Sequence, residues 1–370
     1  MATIKTILHI TPFFHPNIGG VETHLSDLIN ATKNNYKLII CTYSPLTTNV
    51  SYKKYEKYKN LEIHRFPWIG FGLFHKLEKY PILNFFYLTP YLLLRSYFVI
   101  KNKKIDTIHS HGINAAMIGI ILKKIFHLKN HLTSIYSTYD NVPINNFGSK
   151  LIVSVLNATD TVLTQSLQSI KQLKKLGVQA NKLDIYRHWI NLNQFKPNPK
   201  IKISKFTVLF VGRLIPQKGA VLLAKIATKL SKINFIFLGN GPDYPKLEKY
   251  SKTYSNIKLI SSVPYQQLHL YYQQANVLIV PSLYKEGWGR VIMEALACGL
   301  PIIASNRGAI TELIDDSVAI ITSPNFKNLK KSILKLSQNK KLFQKLKLNT
   351  TKYAHKNFSV KSVNLISKYY

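Results

Sequence analysis

Residues 275–306, ANVLIVPSLYKEGWGRVIMEALACGLPIIASN, alternate in a way that points to one architecture. VLIVPS is a compact, strand-like apolar run, GRVIMEALA carries apolar residues at helical spacing, and PIIASN is a second apolar run. A strand, a loop, a helix and a strand in that order call for a parallel sheet covered by helices. LYKEGWG is then the loop at a strand's carboxyl end, with a helix beginning near Gly289. The free N–H groups and dipole of such a helix attract an anion, and flanking glycines let a phosphate come close. Glu286 lies in the loop and Glu294 inside the helix, in a chain with only 16 acidic residues. Both carboxylates offer acceptors to hydroxyl groups; taken alone, the pair reads as a loop residue and a surface charge.

The same alternation runs outward on both sides. FTVLFVG, NFIFLG, IKLIS and SVAIIT complete a second-half series of strands, with AVLLAKIATKLSK among the helices between them. In VLFVGRLIPQKG, residues 208–219, a strand ends in a loop carrying Arg213 and Lys218. Two cations on one loop suit a diphosphate and its departing charge.

The first half repeats the pattern. TILHIT leads through a loop to the helix VETHLSDLINAT, with Gly19 and Gly20 at its entry, and YKLIICTY is the next strand. IDTIHS, HLTSIYSTYD and DTVLTQS are further strands. Alternation points His109 and His111 the same way, with Ser110 opposite. A metal would want a third ligand, and none stands at a telling spacing. His109 suits a core position; His111, nearer the strand end, suits a binding cleft.

Polar, Pro-containing residues 188–205 read as a linker. The expected domains are 1–190, 191–350 and a helical segment 351–370 that packs back on the first domain. Two doubly wound sheets bind ligands outside the carboxyl ends of their strands, so a cleft between the domains is the expected site.

Lys plus Arg number 51 against 16 Asp plus Glu, a formal charge of +35. This balance favours phosphate-bearing partners, unless it reflects composition alone. Two distant cysteines, Cys41 and Cys298, imply no disulfide framework and fit a reducing cytoplasm. The N-terminus has no signal-peptide pattern. Residues 80–100, YPILNFFYLTPYLLLRSYFVI, are interrupted by Asn84, Pro90 and Arg95, which favours a buried or interfacial helix over a span.

These residues resemble the retaining GT-B glycosyltransferases of family four, over nearly the whole chain. The resemblance rests on the two-glutamate motif in PSLYKEGWGRVIMEALACGLPIIAS, on VGRLIPQKG, on GGVETH and on DTIHSHG. It implies an α/β protein of the GT-B class, with two Rossmann-like domains facing across a cleft. It implies that Glu286 binds hydroxyls of the transferred sugar and that Gly287, Trp288 and Gly289 offer backbone N–H groups. Glu294 would hold the ribose, Arg213 and Lys218 the diphosphate, and Val263 the base through its backbone. Gly19 and Gly20 would lie under the phosphate, and His111 would match the cleft histidine near the anomeric carbon. Trp288 stands where Phe is frequent, Ser261 where glycine is frequent, and His188 and Trp189 where Asn and Gly are usual.

The resulting expectation is hexosyl transfer from a nucleotide-diphosphate sugar to a glycan or lipid-linked acceptor, with retention. No Asp-x-Asp occurs, so neither a metal nor another cofactor is expected. The Lys- and aromatic-rich residues 51–86 suit an anionic membrane surface. Location is therefore expected in the cytoplasm, either free or attached to the inner face of the cell membrane. The alternatives are a basic nucleic-acid-binding protein or another GT-B enzyme, such as a sugar epimerase or a phosphorylase. No helix-turn-helix, zinc or aromatic-platform signature supports nucleic-acid binding. A nicotinamide dehydrogenase is disfavoured, because Gly239-Asn240-Gly241 lacks a third glycine.

Overall fold

The computed structural model describes residues 4–17, 19–47, 50–69, 71–77, 80–137, 139 and 142–370. They form two compact units, Met1–His188 with Val360–Tyr370, and Trp189–Ser359.

Among its described residues the first unit holds one sheet of eight strands: β1 (Thr6–Ile10), β2 (Lys37–Tyr43), β3 (Tyr55–Tyr58), β4 (Leu61–Phe66), β5 (Thr107–His111), β6 (Asn130–Ser134), β7 (Thr161–Thr164) and β8 (Leu183–Ile185). Their spatial order is β3-β4-β2-β1-β5-β6-β7-β8. Among the described residues only the β3–β4 pair is antiparallel. From β1 the chain builds outward through β2 to β4, then returns to lay β5 on β1's other side. That reversal is a topological switch point, where doubly wound sheets open a crevice. In β1 and β5, Leu8, Ile10 and Ile108 enter one apolar cluster. His9, His109 and His111 stand at the alternate positions and so face the other way.

The second unit has six parallel strands: β9 (Thr207–Val211), β10 (Asn234–Leu238), β11 (Ile257–Ile260), β12 (Val277–Val280), β13 (Ile302–Ser305) and β14 (Ala319–Thr322). They lie in the order β11-β10-β9-β12-β13-β14, with the switch between β9 and β12. Leu209, Leu278 and Ile302 pack into one core cluster and Val208, Val277 and Ile303 into another. Both faces of the central strands are therefore buried, which is why those strands read as apolar runs; the edge strand β11 carries exposed Lys258.

Four features differ from the sequence reading. Residues 51–66 contain the hairpin β3–β4. Residues 80–100 form two helices, Pro81–Leu88 and Pro90–Ile100; Pro90 has no N–H for a continuing helical ladder. Residues 351–370 are divided: helix Lys340–Asn357 runs through the first part of them, and Val360–Tyr370 groups with the first unit. The strand expected over 131–140 stops at Ser134, and Thr138 and Asp140 lie outside the described residues. No helix or strand occurs between Ile185 and Thr207, where the linker was expected.

Candidate functional site

In the second unit the switch point brings two loops together. The loop after β9 carries Arg213 and Lys218; the loop after β12 carries Ser282, Tyr284 and Glu286. Their backbones are tied where Leu283 N–H donates to the Gln217 carbonyl at 2.8 Å. Lys218 Nζ donates to both oxygens of the buried Glu286 carboxylate, at 2.7 and 2.9 Å. Ser282 Oγ donates to Oε1 and Tyr284 OH to Oε2. Four donor contacts hold this carboxylate in one orientation, and residues 68 apart in sequence meet in it.

Glycine at 308 makes that placement possible. Its backbone bridges to Glu286, and Ala309 N–H donates to the Glu286 carbonyl at 2.9 Å. A Cβ on Gly308 would lie 2.3 Å from that carbonyl oxygen, at a φ of +67°. Only a residue without Cβ fits there. A second close approach braces the Arg213 loop, since a Cβ on Gly239 would lie 1.9 Å from the Gly212 carbonyl oxygen. The Gly239-Asn240-Gly241 fragment thus packs against the cation-bearing loop.

Arg213 is exposed. Burial and the adjoining Glu286 push the Tyr284 phenol above its usual range, while the nearby Arg213 charge acts in the opposite sense. Lys218 Nζ lies 5.5 Å from the Tyr284 ring centre. Arg213, Lys218, Tyr284 and Glu286 therefore form one electrostatic group.

Helix Arg290–Ala297 begins after Gly289, with no side chain capping it. The Ile292 N–H donates to the Gly289 carbonyl at 2.9 Å, and the helix dipole makes its start favourable to an anion. Trp288 packs on the core and its Nε1–H contacts Met293 Sδ at 3.2 Å. Gly287 is half-buried. Glu294 is buried on the helix's inner side, where it accepts from Tyr272 OH at 2.9 Å and from Arg290 Nε at 3.0 Å. Burial pushes its carboxyl pKa up, with Arg290 and Tyr272 opposing the shift. Val263 is half-buried in the loop beyond β11. The sequence signalled neither Ser282 and Tyr284 nor the Tyr265, Tyr272 and Arg290 that surround Glu294, because hydroxyls and a lone arginine carry no spacing signature.

In the first unit, Gly19 precedes helix Gly20–Thr32, and Thr23 N–H donates to its carbonyl. At the switch between β1 and β5, His111 is buried with both ring nitrogens engaged. Nε2 lies 3.0 Å from His9 Nδ1, and Nδ1 lies 2.7 Å from Tyr136 OH. His109 Nδ1 lies 2.7 Å from Tyr370 OH and its Nε2 2.8 Å from Ser134 Oγ. Burial lowers the pKa of His9 to about 3 and holds His109 and His111 well below the usual range. All three rings are neutral near pH 7. On helix Gly20–Thr32, His24 stacks on His188 with ring centres 3.6 Å apart, and Tyr186 OH lies within hydrogen-bond distance of both.

Among the described residues His9, His109 and His111 are the one trio close enough to share a metal ion. His9, which the sequence reading did not single out, is the third member; its register opposite His109 on the neighbouring strand brings it there. The hydroxyl partners on both nitrogens of His109, and the Tyr136 and His9 partners of His111, make the trio a hydrogen-bonded neutral array. His9 Nε2 is the exception, buried without a partner.

Residues 193–355 match the family model for glycosyl transferases group 1, and residues 18–194 match that for glycosyltransferase family 4. An uncharacterized glycosyltransferase of Methanocaldococcus jannaschii is 26% identical, covering 96% of this chain and 95% of that protein. One component of the human phosphatidylinositol N-acetylglucosaminyltransferase is 25% identical over 88% of this chain and 68% of its own length. Among solved structures, sucrose-phosphate synthase from Thermosynechococcus elongatus matches with a TM-score of 0.79 at 19% identity, covering 98% of this chain and 97% of that one. Anabaena HepE in complex with UDP-glucose matches with a TM-score of 0.77 at 18% identity, covering 98% and 97%. With its two Rossmann-like units, the chain is an enzyme of the GT-B fold and belongs to the group 1, family 4 glycosyltransferases.

Proposed function

We propose that the protein transfers a hexose from a nucleotide-diphosphate sugar to a glycan or lipid-linked acceptor, retaining the anomeric configuration and using no metal. The observation that carries the reading is the Arg213–Lys218–Glu286 group at the switch point of the second unit. A diphosphate fits beside cations and an uncapped helix start; a sugar fits beside a carboxylate held by fixed donors.

In the proposed reaction the bond from the anomeric carbon to the diphosphate oxygen breaks, and a bond from the acceptor oxygen forms on the same face. The acceptor's proton passes to the leaving phosphate oxygen. Arg213, Lys218 and the N–H groups after Gly289 stabilise the charge that collects on the diphosphate. Glu286 orients sugar hydroxyls. Its Lys218, Ser282 and Tyr284 contacts disfavour it as an attacking nucleophile, which supports direct transfer over a double displacement. Glu294 holds the ribose and Val263 meets the base through its backbone. The turn at Gly19 and Gly20 and neutral His111, fixed by Tyr136 and His9, are assigned to the phosphate and to the sugar's reacting end. The HepE complex with UDP-glucose supports a uridine donor, and the phosphatidylinositol named in the human relative supports a lipid acceptor.

The test is a panel of UDP-, GDP- and ADP-sugars incubated with glycan and lipid acceptors, in chelator, with products resolved by mass spectrometry and NMR. A glycoside that keeps the donor's anomeric configuration is expected. An epimerised sugar, phosphorolysis of a glycan, or tight DNA binding without turnover would replace the proposal by the corresponding alternative.

A further inference from the structure

Helices Pro81–Leu88 and Pro90–Ile100 carry a feature that the transfer reaction does not use. Leu83 is 55% exposed, Phe86 57%, Leu94 52% and Phe98 53%. Their partners one step around each helix, Phe85, Leu88, Leu92 and Ile100, are buried. Each helix is thus apolar on both sides, one turned to the core and one to solvent. Four large apolar side chains left in water on two consecutive helices form a surface that wants covering.

This surface stands on a rigid base. Tyr43 OH donates to the Leu88 carbonyl at 2.9 Å and accepts from Leu92 N–H at 3.0 Å, pinning the corner between the helices. Asn114 Nδ2 donates to the Phe85 carbonyl and to Thr89 Oγ1. The exposure therefore belongs to packed helices and not to a loose segment.

Charge chooses the occupant. From Tyr80 to Ile105 there is no Asp or Glu, while Arg95, Lys101, Lys103 and Lys104 are present. Lys101 lies over the exposed Phe98 ring and so borders the apolar side chains, while Arg95, itself exposed, lies over the ring of buried Phe66. A second copy of this chain would bring like charge against like. An anionic bilayer supplies both needs, acyl chains for the rings and phosphates for the cations. At about 1.5 Å per residue, the helix of 11 residues reaches only about half of a bilayer's hydrocarbon core. No helix among the described residues is long and apolar enough to cross a membrane.

We infer that the outward face of helices Pro81–Leu88 and Pro90–Ile100 docks in the interface of an anionic bilayer, with Leu83, Phe86, Leu94 and Phe98 immersed and Arg95, Lys101 and Lys104 on headgroup phosphates. This deepens the lipid-acceptor part of the proposed function, giving the enzyme a place beside such an acceptor. It also moves the membrane-facing region from residues 51–86, part of which forms the β3–β4 hairpin, to residues 81–104.

The experiment is co-flotation of the full chain with phosphatidylcholine vesicles, with and without phosphatidylglycerol. The variants are Phe86→Glu/Phe98→Glu and Lys101→Glu/Lys104→Glu. The parent chain is expected to float with anionic vesicles and much less with neutral ones. Phe86→Glu/Phe98→Glu should lower partitioning by roughly tenfold or more. Lys101→Glu/Lys104→Glu should remove the preference for anionic lipid, and raised salt should do the same in the parent. Unchanged thermal midpoints and unchanged hydrolysis of the water-soluble donor show that the variants are folded and leave the reaction site intact. Parent protein that stays unbound, variants that float like the parent, or dimers that Phe86→Glu/Phe98→Glu dissolves would each overturn the docking surface. Flotation without any sugar turnover would leave the docking surface standing and reject the transferase reading.

Discussion

Lys218→Met, Glu286→Gln and the combined variant probe the coupling on which the site depends. Lys218 Nζ reaches both Glu286 oxygens at 2.7 and 2.9 Å. A hydrogen bond to a charged group contributes about 1.5–3 kcal/mol. The Glu286 side chain is 5% exposed but that of Lys218 is 23% exposed, so water screens one partner and the lower part of that range applies. We expect a coupling free energy of about 1.5–2 kcal/mol between the two positions. Lys218→Met should be the worse single change, because it leaves a buried carboxylate with only Ser282 and Tyr284. In a domain of this size each kcal/mol lowers the melting midpoint by roughly 2–4 °C. Turnover should fall by about 10²-fold or more in each single variant, and the combined variant should be little worse than the poorer single one. Urea unfolding gives the stability cycle and donor consumption gives the kinetic one. Stability effects that add within about 0.5 kcal/mol would refute the coupling. So would a Lys218→Met enzyme with unchanged turnover.

Gly308→Ala forces a Cβ to within 2.3 Å of the Glu286 carbonyl oxygen at a left-handed φ; it should cost about 1–2 kcal/mol from the backbone conformation alone and displace Glu286, which turnover and urea unfolding would show. Gly20→Ala meets no atom within 4 Å, so its melting midpoint should stay at the parent value. Arg213→Ala should leave stability unchanged, because the residue is exposed, while turnover drops about 10²-fold; unchanged turnover would remove Arg213 from the diphosphate site. The buried histidines set a pH limit on the first unit. Because the folded-state pKa values of His9, His109, His111 and His131 lie below the unfolded one, stability is fully present above about pH 6.5 and falls as pH drops toward the folded values, about 3 for His9 and about 4 for His131. Each histidine contributes a slope of up to about 1.4 kcal/mol per pH unit within its window, and urea midpoints measured between pH 7 and 5 would reveal it; a flat profile would contradict the neutral array.

The second unit was legible almost strand by strand, because parallel strands buried on both faces leave unbroken apolar runs such as FTVLFV and VLIVP. The first unit was less so. The antiparallel edge strand YEKY, with Tyr55, Lys57 and Tyr58 exposed, has no apolar run to announce it, and Pro90 divides what its neighbours present as one helix. The site residues with chemical signatures, Arg213, Lys218, Glu286 and Glu294, were visible in the chain. That Lys218 bonds Glu286 directly was not, since only the β9–β12 adjacency brings their loops together. His9 escaped notice for the same reason: its partner is set by strand register, which an isolated His between Leu8 and Ile10 does not announce.

Calorimetric titration of the chain with UDP-, GDP- and ADP-sugars in chelator, repeated on Arg213→Ala/Lys218→Ala, is the most direct test of the central claim. One donor class should bind saturably to the parent, with its affinity cut at least tenfold in the variant through lost diphosphate contacts. Absence of binding by every nucleotide sugar, or equal affinity in parent and variant, would contradict the account.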